Sequence, residues 1–220
     1  FNCNLSPDQM QQAVEKVGCC IAAQNDAIAP ADGLLYAIRD VTNTVDSIPL
    51  ITASIVSKKA AEGLNALVLD VKCGKAAFMK TELDALALAE SMVGAAKGLG
   101  INTVAQITDM NEPIGTHIGN ALEILGSIYV LQGKGSKDTR GLVELQGGQL
   151  LTLTGIASSL EQGIQMISEV LENGDALGFF IEMCVQQGTE RKVAELLASE
   201  PEHVLPKSKH VTSVMTAESG

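Results

Sequence analysis

Two short apolar runs on either side of an alanine- and leucine-rich segment constrain the fold more than any other sequence feature. Residues 66–71 and 103–108 have the length and the aliphatic content of buried strands. The segment between them, 81–97, has a helical pattern that Thr81 can cap and that Gly98 ends. A strand, a helix and a strand in this order predict parallel pairing with a right-handed crossover, and therefore an α/β fold.

The rest of the chain is predicted to be mostly helical. At the start, Ser6 and Gln9 have the spacing of a capping box. We also expect a short buried strand over 19–23, a loop over 24–33 and a linker over 200–210. The further predicted helices cover residues 6–17, 34–40, 49–63, 119–131, 141–153, 158–172 and 175–187.

Composition excludes several classes of partner. Twenty-six acidic residues against 15 Lys and Arg give a net charge of -11, which disfavours binding to nucleic acid and to anionic membranes. With no Trp, two Tyr and four Phe, there are few rings for stacking bases. No run approaches the ~20 apolar residues of a membrane span. We expect neither nucleic acid nor a membrane as a partner.

The cysteines and histidines give no sign of a metal site. Five cysteines, an odd number without CxxC spacing, argue against both a disulfide framework and zinc. The three histidines lack ligand spacing, and the sequence has neither a Walker motif nor a dinucleotide fingerprint. We therefore predict reduced thiols, a cytosolic location, and neither metal nor cofactor. The chain begins with Phe1, and we expect it to be a segment of a longer protein.

Candidate polar groups occur on one helix and at the strand ends. Ser54 and Lys58 lie four residues apart, so they share a face of the helix 49–63. From spacing alone, a solvated surface lysine is the simpler interpretation of Lys58. The simplest role of Arg39 is an ion pair with Asp40 or Asp32. The polar residues that end the two strands, among them Asp70 and Lys72, read on pattern alone as turn and strand-end groups.

Several runs together resemble the family of thymidine and pyrimidine-nucleoside phosphorylases. The resemblance covers essentially the whole chain and is most specific from Arg39 to Lys59, within the first two of the runs given below. The runs are YAIRDVT at 36–42, TVDSIPLITASIVSKK at 44–59, LVLDVKCGKAAFM at 67–79, TDMN at 108–111 and GNALE at 119–123.

The resemblance implies an enzyme, a fold and a partner. Members cleave thymidine with inorganic phosphate, reversibly, to thymine and 2-deoxyribose 1-phosphate, and they are homodimers. The implied fold is a large α/β domain with a mixed, mostly parallel sheet, plus part of a small all-α domain. Residues 1–24 and 65–220 would form the incomplete large domain. Residues 31–61 would be helices of the small domain that carry the pyrimidine site, with the stretch before them as a hinge.

Six positions match substrate contacts of this family. Arg39, Ser54 and Lys58 match the residues that hydrogen-bond the pyrimidine, and Arg39 and Lys58 would stabilise the departing base as catalytic groups. The apolar wall around the base matches Val45, Ile55 and Phe78.

Two departures from the family pattern limit these expectations. The phosphate-binding run of Lys, His, Ser or Thr and two Gly is absent, and we expect it upstream of Phe1, together with the histidine that contacts the base. We therefore assign no phosphate-binding residue in this chain. Some relatives bind a monovalent cation through a Glu three residues after the position of Glu123; here that position is Gly126, so no cation is predicted.

Three alternatives stay open at this point. A broader pyrimidine-nucleoside phosphorylase would also accept uridine. A non-catalytic dimerising fragment is a second possibility, because the phosphate run is missing. A phosphoribosyltransferase of related architecture is more distant, because the pyrimidine run at 44–59 argues against it.

Overall fold

Two parallel strands form the centre of the fold. The computed structural model of the chain describes residues 1–23 and 30–215. In them, β1 (Ala66–Cys73) pairs with β2 (Asn102–Asp109), with Ala66 opposite Asn102 and Cys73 opposite Asp109. The predicted α/β class and the parallel pairing are confirmed.

The described part of the chain also contains ten helices. The first four are α1 (Pro7–Val17), α2 (Pro30–Val41), α3 (Ile48–Ala61) and α4 (Glu82–Gly98), the last of which connects the two strands. The others are α5 (Asn120–Leu131), α6 (Lys137–Leu153), α7 (Leu160–Glu172), α8 (Asp175–Gln186), α9 (Arg191–Ser199) and α10 (Pro201–Val204). None of the described helices is long and apolar enough to cross a membrane.

The core lies between β1 and two helices. Alternate residues of β1, namely Leu67, Leu69 and Val71, are buried and pack in one cluster with Leu88 and Met92 of α4. Burying each of these aliphatic side chains stabilises the fold by about 1.5–3 kcal/mol. Helix α3 joins the same cluster through Val56, and its Thr52 hydroxyl lies 2.8 Å from that of Ser91 on α4. This packing fixes the helix that carries Ser54 and Lys58 against the sheet.

Two of the local predictions are wrong. Residues 19–23 form no strand, and Ile21 is 51% exposed. In the predicted linker 200–210, Pro201–Val204 form a short helix and Pro201 is buried; the helix before it, α9, was not predicted. Most of the predicted loop 24–33 lies outside the described residues, and α2 already begins at Pro30. The proposed division into two domains stays a prediction.

Gln187 joins the end of α8 to two N-terminal segments that are neither helix nor strand, residues 1–6 and 19–23. Its side chain accepts a hydrogen bond from the Ile21 amide at 2.9 Å. It donates to the Asn2 and Ile21 carbonyls at 2.8 Å each. Because Gln187 is only 2% exposed, all three backbone groups lose their partners if the side chain is removed, and water cannot fully replace it.

We expect Gln187→Ala to destabilise the protein by about 1–3 kcal/mol. Hydrogen exchange at the Ile21 amide should accelerate more than exchange at amides of the core strands. Gln186→Ala is the matched control on the preceding residue. Equal exchange at Ile21 in both variants would contradict this role of Gln187.

Candidate active site

The six predicted site residues line one cavity. It has a volume of about 600 Å³ and lies where α2 and α3 face the end of β1 and the loop that follows. Helix α2 contributes Tyr36, α3 contributes Ile51, and Met110 follows β2. The predicted residues in its lining are Arg39, Val45, Ser54, Ile55, Lys58 and Phe78. Sequence comparison thus selected side chains that the fold brings together, although their roles stay predictions.

Arg39 is anchored through the backbone and not through a carboxylate. Its Nη2 donates to the Val45 carbonyl at 2.7 Å, and its guanidinium carbon lies 5.8 Å from the centre of the Tyr36 ring. Nε is buried without a hydrogen-bond partner among the described residues, and no carboxylate there lies within ion-pair distance of Arg39. The ion pair expected from the sequence is therefore absent in that part of the chain, which leaves this charge available to a ligand.

Lys58 is oriented by its neighbours and is not a freely solvated lysine. Its Nζ contacts both carboxylate oxygens of Asp32 at 3.0 Å and donates to Ser54 Oγ at 3.2 Å. Ser54 lies one turn before Lys58 on α3, so the predicted shared face is confirmed. Since Ser54 Oγ accepts from the ammonium, its own hydrogen can be donated to an acceptor atom of a ligand.

The apolar side chains form a wall with an open rim. Val45 and Ile55 are half-buried, whereas Phe78 is 64% exposed. Phe78 lies in the loop between β1 and α4, which is tied to the chain after β2 because the Ala76 amide donates to the Met110 carbonyl at 3.1 Å. A flat ring could be held by dispersion against this wall while its polar edge meets the cations.

Gly74 allows this loop to approach the end of β2 closely. Its φ is +140°, and a Cβ there would lie 2.7 Å from the Met110 carbonyl carbon. Any other residue would push apart the two strand ends that meet at this wall of the cavity. Glycine at position 74 is therefore required by the backbone and not by a contact to ligand.

Asp70 and Lys72 are charged residues at the end of β1, as the sequence pattern predicted, and they also line the cavity. Lys72 Nζ lies 2.8 Å from Asp70 Oδ2 and 3.0 Å from Thr108 Oγ1, and the Thr108 hydroxyl donates to Asp70. Burial raises the pKa of Asp70, but the hydrogen bonds from Lys72, Thr108 and Gln146 and the charge of Lys72 together outweigh it, so the pKa lies below its usual value. The sequence signal that could have grouped these two residues is the alternation of side-chain direction along β1. This alternation puts Asp70 and Lys72 on the face of the strand opposite the core.

A second cavity, of about 550 Å³, lies beside the segment 113–118 and includes His117. Asp138 fixes this segment by accepting the Gly115 amide at 2.7 Å. That hydrogen bond is the main reason why the pKa of Asp138 is lowered to about 2. Among the described residues, no cluster of His, Cys, Asp and Glu is arranged to hold a metal ion.

A parallel α/β fold hosts many unrelated functions, so the class of protein has to come from the site and from relatives. Residues 1–177 match the family described as "Glycosyl transferase family, a/b domain". The chain belongs to this family.

The individual relatives are phosphorylases. The chain is 43% identical to the thymidine phosphorylase of Homo sapiens, over 100% of this chain and 46% of that protein. It is 40% identical to the pyrimidine-nucleoside phosphorylase of Bacillus subtilis, over 100% of this chain and 50% of that protein. For the pyrimidine-nucleoside phosphorylase of Staphylococcus haemolyticus the identity is 45%, over 89% and 45%. The predicted resemblance is confirmed, and the chain spans about half the length of these relatives.

Proposed function

We propose that the protein carrying this chain catalyses the reversible phosphorolysis of thymidine to thymine and 2-deoxyribose 1-phosphate. The observation that carries the proposal is the convergence of Arg39, Ser54 and Lys58 on one cavity with an apolar wall. The names of the relatives support the same reaction. The phosphate site is proposed to come from the part of the family's length that this chain does not span.

In this proposal the cations act on the departing base. Breaking the bond between the sugar and the base develops negative charge on the pyrimidine, spread over its ring nitrogen and carbonyl oxygens. A guanidinium and an ammonium aimed at that ring stabilise the transition state more than the neutral nucleoside, which lowers the barrier. Arg39 offers a rigid fork of donors, whereas Lys58 is a compact point charge. Ser54 orients the ring by donating its free hydrogen.

The first test is release of thymine from thymidine by the full-length gene product, which should require inorganic phosphate. Lys58→Ala should lower kcat/KM on the order of 10²-fold, because it removes a charge that acts on the leaving group. Lys59→Ala is the matched control: Lys59 pairs with Glu62 at 2.8 Å and does not line the cavity. Full activity in Lys58→Ala, or thymine release independent of phosphate, would refute the proposed function.

A second candidate is a broader phosphorylase that also accepts uridine. Two of the relatives described above are named pyrimidine-nucleoside phosphorylase, and their identities of 40% and 45% bracket the 43% to human thymidine phosphorylase. The ratio of kcat/KM for uridine and thymidine decides between them.

A third alternative is that this chain is a non-catalytic part of the enzyme. If the 220 residues bind no base and release no thymine on their own, that alternative would hold.

We further propose a cytosolic homodimer. All five cysteines are free thiols, and Cys184 is buried, which supports a reducing compartment. Helix α2 buries none of its residues, and its Leu34, Leu35 and Val41 are 67%, 62% and 83% exposed. An apolar surface of this kind supports contact with protein outside this chain.

A further inference from the structure

Asp32 contacts the candidate site residue Lys58. Neither the sequence pattern nor the family-matched positions assigned this role to Asp32. It lies in the first turn of α2, whereas its partner Lys58 is near the end of α3. Both of its carboxylate oxygens lie 3.0 Å from Lys58 Nζ. The side chains are 26% and 39% exposed, so the pair is partly shielded from water at the edge of the cavity.

Three oxygen atoms contact the Lys58 ammonium group, namely Asp32 Oδ1, Asp32 Oδ2 and Ser54 Oγ. An ammonium has three donors, and the two Asp32 oxygens can share one of them, which leaves a donor for the departing base. A lysine side chain carries about 2 kcal/mol of rotamer entropy, and a free one would sample many positions. The bidentate carboxylate on one side and Ser54 on the other restrict Nζ to one region of the cavity.

The same pair connects the two helices that carry the cations. In the described residues, Asp32–Lys58 is the ion pair that joins α2 to α3. Helix α2 has no buried residue to fix it, yet it carries Arg39. The carboxylate also offsets the repulsion between Arg39 and Lys58, which line the same cavity of about 600 Å³.

We propose that Asp32 is a positioning residue that holds the Lys58 ammonium, and with it α2, in the geometry that acts on the departing base. This inference rests on the proposed function of Lys58. An ion pair that is partly exposed to solvent contributes little to the free energy of unfolding. The effect of replacing Asp32 is therefore expected in the rate of catalysis. Misplacing one catalytic charge by about 1 Å can lower a rate about 10²-fold.

The test is a double-mutant cycle in the full-length gene product, with kcat/KM for thymidine as the readout. Asp32→Asn should lower kcat/KM about 10- to 100-fold, and Asp32→Glu should recover part of the loss. In a Lys58→Met background, Asp32→Asn should have almost no further effect, because the group that it positions is gone. Asp40→Asn, an exposed carboxylate on the same helix, is the control and should leave the rate unchanged.

A second measurement does not depend on activity. Acetylation of Lys58 by acetic anhydride, followed by mass spectrometry, should be several-fold faster in Asp32→Asn than in the native protein, while Lys59 is unchanged. Equal rates of Lys58 modification, or an Asp32→Asn loss of the same size with and without Lys58, would overturn the inference. Faster modification in a protein that releases no thymine would support the contact and refute the proposed reaction.

Discussion

Replacement of Arg39 by Met is expected to lower kcat/KM for thymidine phosphorolysis on the order of 10³-fold. The native guanidinium is held at the Val45 carbonyl at 2.7 Å, and its Nε is buried with no partner among the described residues. An incoming pyrimidine would therefore meet a guanidinium that is already oriented. Such preorganised donors stabilise a developing anion most, because little reorganisation accompanies the reaction. Steady-state kinetics of the full-length gene product measure the loss.

Two further variants separate charge from geometry at this position. Arg39→Lys keeps the charge but cannot hold the Val45 carbonyl and present a fork at the same time, so it should recover only a small part of the loss. Asp40→Asn alters the charge of the next residue, which is exposed, and should retain native kinetics. The proposed mechanism depends most on the Arg39 guanidinium. Native activity in Arg39→Met would therefore contradict that mechanism.

Gly148→Ala is expected to destabilise the fold by about 3 kcal/mol. Helices α6 and α7 cross at Gly148 and Gly163, and a Cβ on Gly148 would lie 2.6 Å from the Ile164 amide nitrogen and 3.0 Å from the Gly163 carbonyl carbon. Because these neighbours include backbone atoms, the helices must move apart, and a side chain cannot turn aside to make room. The urea midpoint of the full-length gene product should fall accordingly.

The matched control lies on the same helix. At Gly141 of α6 no atom is within 4 Å of an added Cβ, so Gly141→Ala should be neutral or should stabilise by up to about 1 kcal/mol, since alanine is the better helix former. If helix propensity alone mattered, alanine would stabilise the fold at both positions. Opposite effects at Gly148 and Gly141 would therefore identify the close contact between the helices as the cause. Stabilisation by Gly148→Ala would show that the helices do not cross at these residues.

Local sequence signals predicted the regular elements where they were strong. Ser6 and Gln9 form the expected capping box, and Thr81 caps α4 by accepting the Asp84 amide. The prediction failed at residues 19–23, because a short apolar run suggests burial in a strand whether or not a partner strand is present. The backbone of this segment is instead hydrogen-bonded to the Gln187 side chain, which lies 166 residues from Ile21 along the chain. No local sequence pattern could indicate that contact.

The candidate site divides in the same way. The family-like sequence runs identified six residues that line one cavity. Residue spacing alone gave the wrong partner for Arg39, and its simpler interpretation of Lys58 as a solvated lysine did not hold. Asp32 was expected near Arg39, and it pairs with Lys58. Charges close in sequence are natural first guesses for ion pairs, whereas the pair observed joins residues 26 positions apart, on α2 and α3.

The sequence by itself determined most of the helix and strand order, the family and the residue types at the candidate site. These depend on caps, periodicity and local motifs, which act over a few neighbouring residues. The tertiary structure decided which polar groups meet: Lys72 with Asp70 and Thr108, Lys58 with Asp32, and Arg39 with none of the carboxylates in the described chain. An ion pair needs its charged atoms within about 4 Å of each other, so the relative positions of α2, α3 and β1 in the fold decide which of these groups meet.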